Sequence, residues 1–360
     1  MKDEKIAMVG TPCQVLAATK VNKYPDITGG SPIDIKIGLF CMETFSYKYM
    51  RKFLEENQVD INEVKECSIE QNQLKFLKKD GTTFEVPLAK AEGFIRKNCD
   101  ICSDYTADIS DISIGSIGSP KGWSTVIIRT SKGQEIIEAL EKQGQIETQD
   151  IEEKGLNLLK RIAKSKKATN QINIQKREAI SRPVVYRRDI SEEEFQNYVQ
   201  ECQFENLESD VICEGACVLC GACEFVCPTN IIKIHDRKPY IKGSCVEGCH
   251  ACYTACPRTY VTEAVLPRSL DDKPIGDYLD IKAVNANFIE GQDGGAVTAI
   301  LSYLLKEGIV DKVFIVSEDE EKAWKPKPRL TSDIGTVVKA AGTKYSVASI
   351  GFKALKEEKA

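Results

Sequence analysis

Short apolar runs alternate with stretches of helical periodicity in two separated parts of the chain, which predicts an α/β fold. In the first part, about 1 to 160, Lys5 to Val9 is a buried strand ending at Gly10-Thr11-Pro12-Cys13, and a helix-like stretch starts at Gln14. Ile35 to Phe40 is a second apolar strand, ending in Cys41. From Glu66 to Leu88 the pattern alternates about Asp80-Gly81, which predicts one hairpin, because glycine tolerates the positive φ of a tight turn. Trp123 to Arg129 is a further strand, and a helix follows from about Gly133 to Gln143.

A polar helix near 154 to 178 and a linker around Pro183 close this part. The last part, about 280 to 360, returns to α/β. Val297, Ile300, Leu301, Leu304 and Leu305 recur at helical spacing after Gly294-Gly295, Gly308 stops that helix, and Lys312 to Val316 is a strand. This part is short for an independent domain, and Lys353 to Ala360 looks like a helix cut in mid-course. The longest apolar runs, Ile37 to Met42 and Val313 to Val316, fall far below the roughly 20 residues of a bilayer span. The charged start Met1-Lys2-Asp3-Glu4-Lys5 lacks the apolar core of a secretory signal. The expected location is therefore cytoplasmic, with membrane association only through a partner.

Fifteen cysteines among 360 residues change the picture. A reducing compartment disfavours disulfides, so metal ligation is the expected use. Two histidines are too few for histidine-rich zinc or non-haem iron sites. Net charge is -5, and the basic residues from Arg161 to Arg188 are interspersed with polar and apolar ones; that stretch reads as a solvated helix and linker, with no nucleic-acid partner expected.

Cys217, Cys220, Cys223 and Cys227-Pro228 form the run C-x2-C-x2-C-x3-C-P of bacterial ferredoxins, in which the fourth cysteine serves the other cluster. Cys245, Cys249, Cys252 and Cys256-Pro257 repeat it with one extra residue in the first gap. The spacing assigns Cys217, Cys220, Cys223 and Cys256 to one 4Fe-4S cluster, and Cys245, Cys249, Cys252 and Cys227 to the other. Short gaps let backbone N–H groups turn towards the sulfurs, and each proline leads the chain away. Zinc knuckles would explain neither the paired Cys-Pro endings nor the third close cysteine. His235 and His250 read as surface or packing residues, and Cys67, Cys202 and Cys213 as structural. Four cysteines remain, Cys13, Cys41, Cys99 and Cys102. Two follow predicted strands and two form a C-x2-C pair, so either a third cluster or buried core cysteines with one redox pair would account for them.

Gly10-Thr-Pro-Cys13-Gln, Gly38-Leu-Phe-Cys41-Met-Glu-Thr-Phe45, Cys99-Asp-Ile-Cys102-Ser-Asp-Tyr105 and the stretch Asp111 to Thr125 resemble the coenzyme F420 hydrogenase/dehydrogenase beta-subunit family. So do Gln292-Asp-Gly-Gly295-Ala-Val-Thr298, Trp324-Lys-Pro326 and Gly342-Thr-Lys-Tyr-Ser346. The resemblance implies an oxidoreductase of methanogens and related archaea that uses FAD to pass electrons between coenzyme F420 and iron-sulfur clusters. It also implies that Cys13, Cys41, Cys99 and Cys102 hold a third 4Fe-4S cluster beside the flavin. The flavin contacts it suggests are Gly294, Gly295, Thr298, Lys344 and Tyr345 on one side and Ser119, Gly122, Trp123 and Ser124 on the other. Gly294-Gly295 before a helix suits phosphate but is equally a tight turn, and Trp123 could instead be core. No catalytic acid or base is named, since hydride transfer demands none.

The family's order is ferredoxin unit, then the Gly-Gly half, then the Pro-Cys-Gln half; here it is rotated. The implied architecture is an α/β flavin module formed from both chain ends, with an inserted α+β ferredoxin-like domain carrying two clusters. Its parts are 1–160, the C-terminal-type half; 161–205, helix and linker; 206–265, the ferredoxin domain; and 280–360, the N-terminal-type half. Either the chain is a circular permutant, with Met1 near Ala360, or it is a piece of a longer tandem. The implied function is a flavoprotein subunit serving a partner such as a hydrogenase, a formate dehydrogenase or another complex linked to coenzyme F420. The alternative is a flavin-free iron-sulfur relay subunit.

Overall fold

A computed structural model describes residues 4–29, 33–235, 237–286 and 293–359. In chain order the strands are β1 Ile6–Gly10, β2 Ile35–Leu39, β3 Val64–Glu70, β4 Gln73–Lys78, β5 Thr83–Pro87, β6 Ile112–Gly115, β7 Ser124–Ile128, β8 Glu147–Asp150, β9 Ile232–His235, β10 Lys238–Ile241, β11 Asp280–Asn285, β12 Lys312–Glu318 and β13 Pro326–Thr331. Eight of them make one sheet in the order β13-β12-β1-β2-β6-β7-β11-β8. Strands β12, β1, β2 and β6 are parallel, and the others pair antiparallel. The chain ends interleave. β12 lies beside β1 with Ile6 opposite Lys312, and β11 sits between β7 and β8. The short last part is thus an integral piece of the sheet rather than a domain.

Period-two alternation assigns the faces. Ala7, Ile37, Ile114 and Val126 point to one side, where helices Ser131–Lys142 and Ala296–Lys306 cover them with Ile136, Leu140, Ile300 and Leu304. Each such buried aliphatic contributes about 1.5–3 kcal/mol relative to exposure. Ile6 and Met8 point to the other side, under helix Pro12–Lys23 and the cysteine-rich insert. Ile127 lies on that side too, beneath helix Glu153–Ala179 through Leu159 and Ala163.

The insert carries the β9–β10 hairpin and helices Ala222–Val226 and Ala251–Ala255. It has no core of its own. Val226, Tyr253 and Ala255 share one cluster with Leu16, Val21, Phe314, Phe352 and Leu355. Ile350 N–H also donates to the Cys220 carbonyl at 3.0 Å.

Three sequence expectations change. The region around Asp80-Gly81 is a three-stranded sheet, β3-β4-β5, with a second turn at Gln71-Asn72 where both residues take positive φ. Helix Glu153–Ala179 is no solvated spacer: Leu159, Ala163, Lys166, Asn170 and Ile174 form a buried stripe along it. Cys213 is exposed, whereas Cys67 and Cys202 are buried among apolar side chains. Met1 and Ala360, whose proximity would mark a permutant, lie outside the described residues. No described helix is long and apolar enough to cross a membrane.

Candidate functional site

The carboxyl ends of parallel strands collect functional groups, since loops there leave the sheet together. At the end of β1, Thr11 caps helix Pro12–Lys23, with Pro12 in the first turn and Gln14 Oε1 accepting from Thr11 N–H at 2.8 Å. This seats Cys13 in that turn, with its Sγ 3.3 Å from Thr11 Oγ1. Cys41 lies just past β2, its N–H bonded to the Tyr105 carbonyl at 2.9 Å. Cys99 and Cys102 lie in and just after the 3-10 turn Lys97–Ile101. Thr44 N–H donates to Cys99 Sγ at 3.4 Å, which ties this turn to the loop after β2.

Each of these four thiols lies within electrostatic range of others in the set. Burial raises Cys13, Cys41 and Cys99, and neighbouring thiols add to this for Cys13 and Cys41. Burial would raise Cys102 too, but Lys166 and Arg258 outweigh it and hold that thiol below its ordinary value. Lys166, 4 % exposed, donates through Nζ to the carbonyls of Cys41 and Asp104. Burial would lower Lys166, yet Cys102, Cys41 and Asp104 keep it above a free lysine. One turn on, Asn170 Nδ2 donates to the carbonyls of Cys99 at 2.9 Å and Cys102 at 2.6 Å, and Asn173 Nδ2 reaches the Asp100 carbonyl at 3.0 Å. The long helix therefore clamps the C-x2-C turn.

The insert gathers eight more cysteines in two sets. Cys223 lies within electrostatic range of Cys220, Cys217, Cys256 and Cys252, and Cys252 within range of Cys245, Cys249, Cys256 and Cys227. Leu219 and Gly221 take positive φ, which bends the first loop around its sulfurs. Backbone N–H groups then bond Cys217 from Leu219, Cys220 from Ala222 and Cys256 from Arg258. Burial would raise Cys227, but N–H groups of Ile232, Ile231 and Thr229 and the Thr229 hydroxyl lower it overall. No three Cys, His, Asp or Glu side chains among the described residues converge tightly enough for a single metal ion.

Buried cations accompany the sulfurs. Lys20, 0 % exposed, donates to Thr259 Oγ1 at 2.8 Å and the Tyr260 carbonyl at 2.7 Å; burial pulls it down to about 7 against the opposing pull of Cys256. Arg258, 2 % exposed, stacks on the Tyr186 ring at 4.5 Å and leaves Nε and Nη2 without a hydrogen-bond partner. Arg96 donates through Nη2 to the Cys217 carbonyl at 3.0 Å, and its buried Nη1 has no partner. Orphaned buried guanidinium groups facing thiols fit an anionic occupant bound through those thiols.

The residues expected at a flavin lie along the same sheet end. Gly294 packs so closely that an added Cβ would meet Ser124 N at 2.7 Å and the Gly122 carbonyl at 3.0 Å, while Asn285 Nδ2 bonds that carbonyl at 2.6 Å. Gly295 opens helix Ala296–Lys306, on which Thr298 is buried, and Ser119 Oγ pairs with Thr125 Oγ1 at 2.7 Å. Trp123 is half-buried and belongs to none of the apolar clusters. Lys344 and Tyr345 stand apart from this group. Lys344 Nζ is 4.0 Å from Glu318 at the end of β12, and Tyr345 packs against Phe45 at 6.3 Å. The requirement for glycine at 294 is met by backbone packing, while Gly122, with φ +83 and nothing above it, faces open space. Gln292, part of the expected motif, lies outside the described residues.

Sequence reasoning missed Lys20, Arg96, Lys166, Asn170 and Arg258. For the helix residues a signal existed, since Lys166 and Asn170 continue an apolar i, i+4, i+7 stripe. The arginines carry no such mark.

Residues 3–154 match the C-terminal family of coenzyme F420 hydrogenase/dehydrogenase beta subunits, residues 282–356 match its N-terminal counterpart, and residues 214–233 match the family described as "4Fe-4S binding domain". A coenzyme F420 hydrogenase subunit beta of Methanococcus voltae is 39 % identical over 186 residues, covering 51 % of this chain and 66 % of that protein. An F420-dependent formate dehydrogenase subunit beta of Methanocaldococcus jannaschii is 27 % identical over 279 residues, 71 % of this chain and 68 % of that one. Among solved structures, the F420-reducing [NiFe] hydrogenase complex from Methanosarcina barkeri holds a chain 36 % identical, with TM-score 0.47, covering 49 % of this chain and 62 % of that one. The chain spans 62 to 66 % of the length of the hydrogenase beta subunits it matches.

Proposed function

The chain belongs to the coenzyme F420 hydrogenase/dehydrogenase beta-subunit family of oxidoreductases, its halves in rotated order around a 4Fe-4S binding domain, and on that premise we propose that it moves electrons between coenzyme F420 and a partner redox enzyme through FAD and three 4Fe-4S clusters. The observation that supports this reading is that the cysteines of the sheet end and of the insert lie within electrostatic range of one another, beside the buried cations Lys166 and Arg258. A flavin exchanges hydride with a deazaflavin and single electrons with iron-sulfur clusters, which is the conversion FAD would supply.

The chain's own residues hold and insulate. Cys13, Cys41, Cys99 and Cys102 are the ligands of the cluster at the sheet end. Cys217, Cys220, Cys223 and Cys256 hold the second, and Cys227, Cys245, Cys249 and Cys252 the third. Lys166 and Asn170 fix the loops that carry the first set, and the N–H groups around Cys227 favour its thiolate. Ser119, Gly122, Trp123, Ser124, Gly294, Gly295, Thr298, Lys344 and Tyr345 are the flavin contacts of this reading. The position that all but Lys344 and Tyr345 share supports it: Ser124 on β7 is three strand spacings from β1, roughly 14 Å along the sheet from the loop bearing Cys13. Cys245 and Cys249 are only part-buried and Val246 is exposed, so the third set faces the surface that a hydrogenase or formate dehydrogenase subunit would meet.

The test is anaerobic reconstitution, then reduction of coenzyme F420 with a reduced viologen dye, and the reverse. Full activity requires roughly twelve irons per chain, four for each cluster. Cys41→Ser is expected to lower iron to about eight and abolish turnover, leaving the other two clusters intact. A wild-type preparation with full iron and FAD but no turnover in either direction would defeat the proposal. One observation favours a second reading, a flavin-free relay: packing alone explains the glycine at 294. Acid extraction separates the two, because the relay yields iron and sulfide without FAD.

A further inference from the structure

Between the quartet of Cys13, Cys41, Cys99 and Cys102 and that of Cys217, Cys220, Cys223 and Cys256 lie two guanidinium groups. Arg258 is 2 % exposed, and its backbone N–H bonds Cys256 Sγ at 3.4 Å. Its side chain acts electrostatically on Cys102 and Cys13, and on Cys217 and Cys256 across the gap. Arg96 bonds the Cys217 carbonyl and acts on Cys99 and Cys13. Three of their buried N–H-bearing atoms, Arg258 Nε and Nη2 and Arg96 Nη1, have no partner in the protein. Buried charge of one sign is costly unless compensated. The groups acting most strongly on Arg258 are Tyr186, Cys102 and Cys13, none of them a carboxylate.

We propose that Arg258, assisted by Arg96, is a positioning residue that makes the two neighbouring clusters electrostatically compatible, a fixed positive charge that both share. Two anionic groups in a low-dielectric interior repel, so an electron on one makes an electron on the other harder to add. A cation between them offsets that penalty for both. The principal influences on Cys252, in the third quartet, are Cys245, Cys249, Cys256 and Cys227, with Arg258 not among them. The inference rests on the cluster assignment above and goes beyond it by giving one side chain control over two sites.

The experiment is a redox titration of the reconstituted full chain followed by electron paramagnetic resonance, comparing wild type, Arg258→Met and Arg258→Lys at equal iron and sulfide content. Removing the charge is expected to move two of the three reduction waves to more negative potential. The shift should reach at least tenfold in the reduction equilibrium, about 59 mV for one electron, with the third wave unmoved. Arg258→Lys should stay close to wild type. Three unmoved waves in Arg258→Met, or three moved equally, overturn the proposal. If Arg258→Met assembles no clusters, Arg258→Lys decides: full clusters at wild-type potentials support a requirement for charge, and loss of iron or shifted waves there overturns it. Wild-type protein without acid-labile sulfide would instead sink the cluster assignment itself.

Discussion

Lys166 stands on a buried helix face with Leu159, Ala163, Asn170 and Ile174, and its ammonium is held by the carbonyls of Cys41 and Asp104. Replacing it with methionine keeps the volume and removes the donor to Cys41 and Asp104. The exposed cost is two unsatisfied buried acceptors, so Lys166→Met should lose about 2 kcal/mol in urea denaturation. The Cys102 thiol should also react more slowly with a thiol reagent in the cluster-free protein, because Lys166 heads the influences that lower it. At this scale the sequence reveals cysteines and little else. Cysteine spacing is local and survives in one dimension, whereas Arg258 and Arg96 matter because Cys102 and Cys217, far away in the chain, come to lie beside them.

Elements were legible where period and punctuation agreed. The strand expected at Ile35 to Phe40 is Ile35–Leu39, and the helix expected near 154 to 178 is Glu153–Ala179. The turn at Gln71-Asn72 was hidden, since neither residue is a glycine although both take positive φ. The 27-residue helix, about 40 Å long, is fixed at its start by a glycine pair. A Cβ on Gly155 would meet the Gly118 carbonyl oxygen at 2.0 Å. Gly155→Ala must therefore push the helix off the loop after β6. A loss of about 1–3 kcal/mol is expected, seen as a lower midpoint in thermal denaturation followed by circular dichroism. A neighbouring control, Gly144→Ala, has open space around it but φ +67, and should cost only backbone strain.

For the molecule as a whole, pattern reading found α/β character at both ends but not how the ends join. That joining is non-local: β12 pairs with β1 across some 300 positions of sequence, and β11 separates β7 from β8. Cysteine spacing marks the insert as a unit along the chain, while in space Tyr253 and Val226 pack with Phe314, Phe352 and Leu355 from the last part of the chain. A fragment of residues 206–265 alone should then fold poorly, giving narrow amide dispersion in NMR spectra even with iron and sulfide supplied. A well-dispersed spectrum would contradict the shared core.

That seam of common packing has a kinetic meaning. A tethered carrier must swing between docking points, and its traffic slows in syrupy solvent; here the cysteine-rich unit is bolted to the sheet by Leu16, Phe314 and Phe352 and by the bond from Ile350 to Cys220. Charge crossing from the sheet end to the insert would meet a rigid gap, so added glycerol should leave the internal pace untouched and slow only the arrival of outside partners.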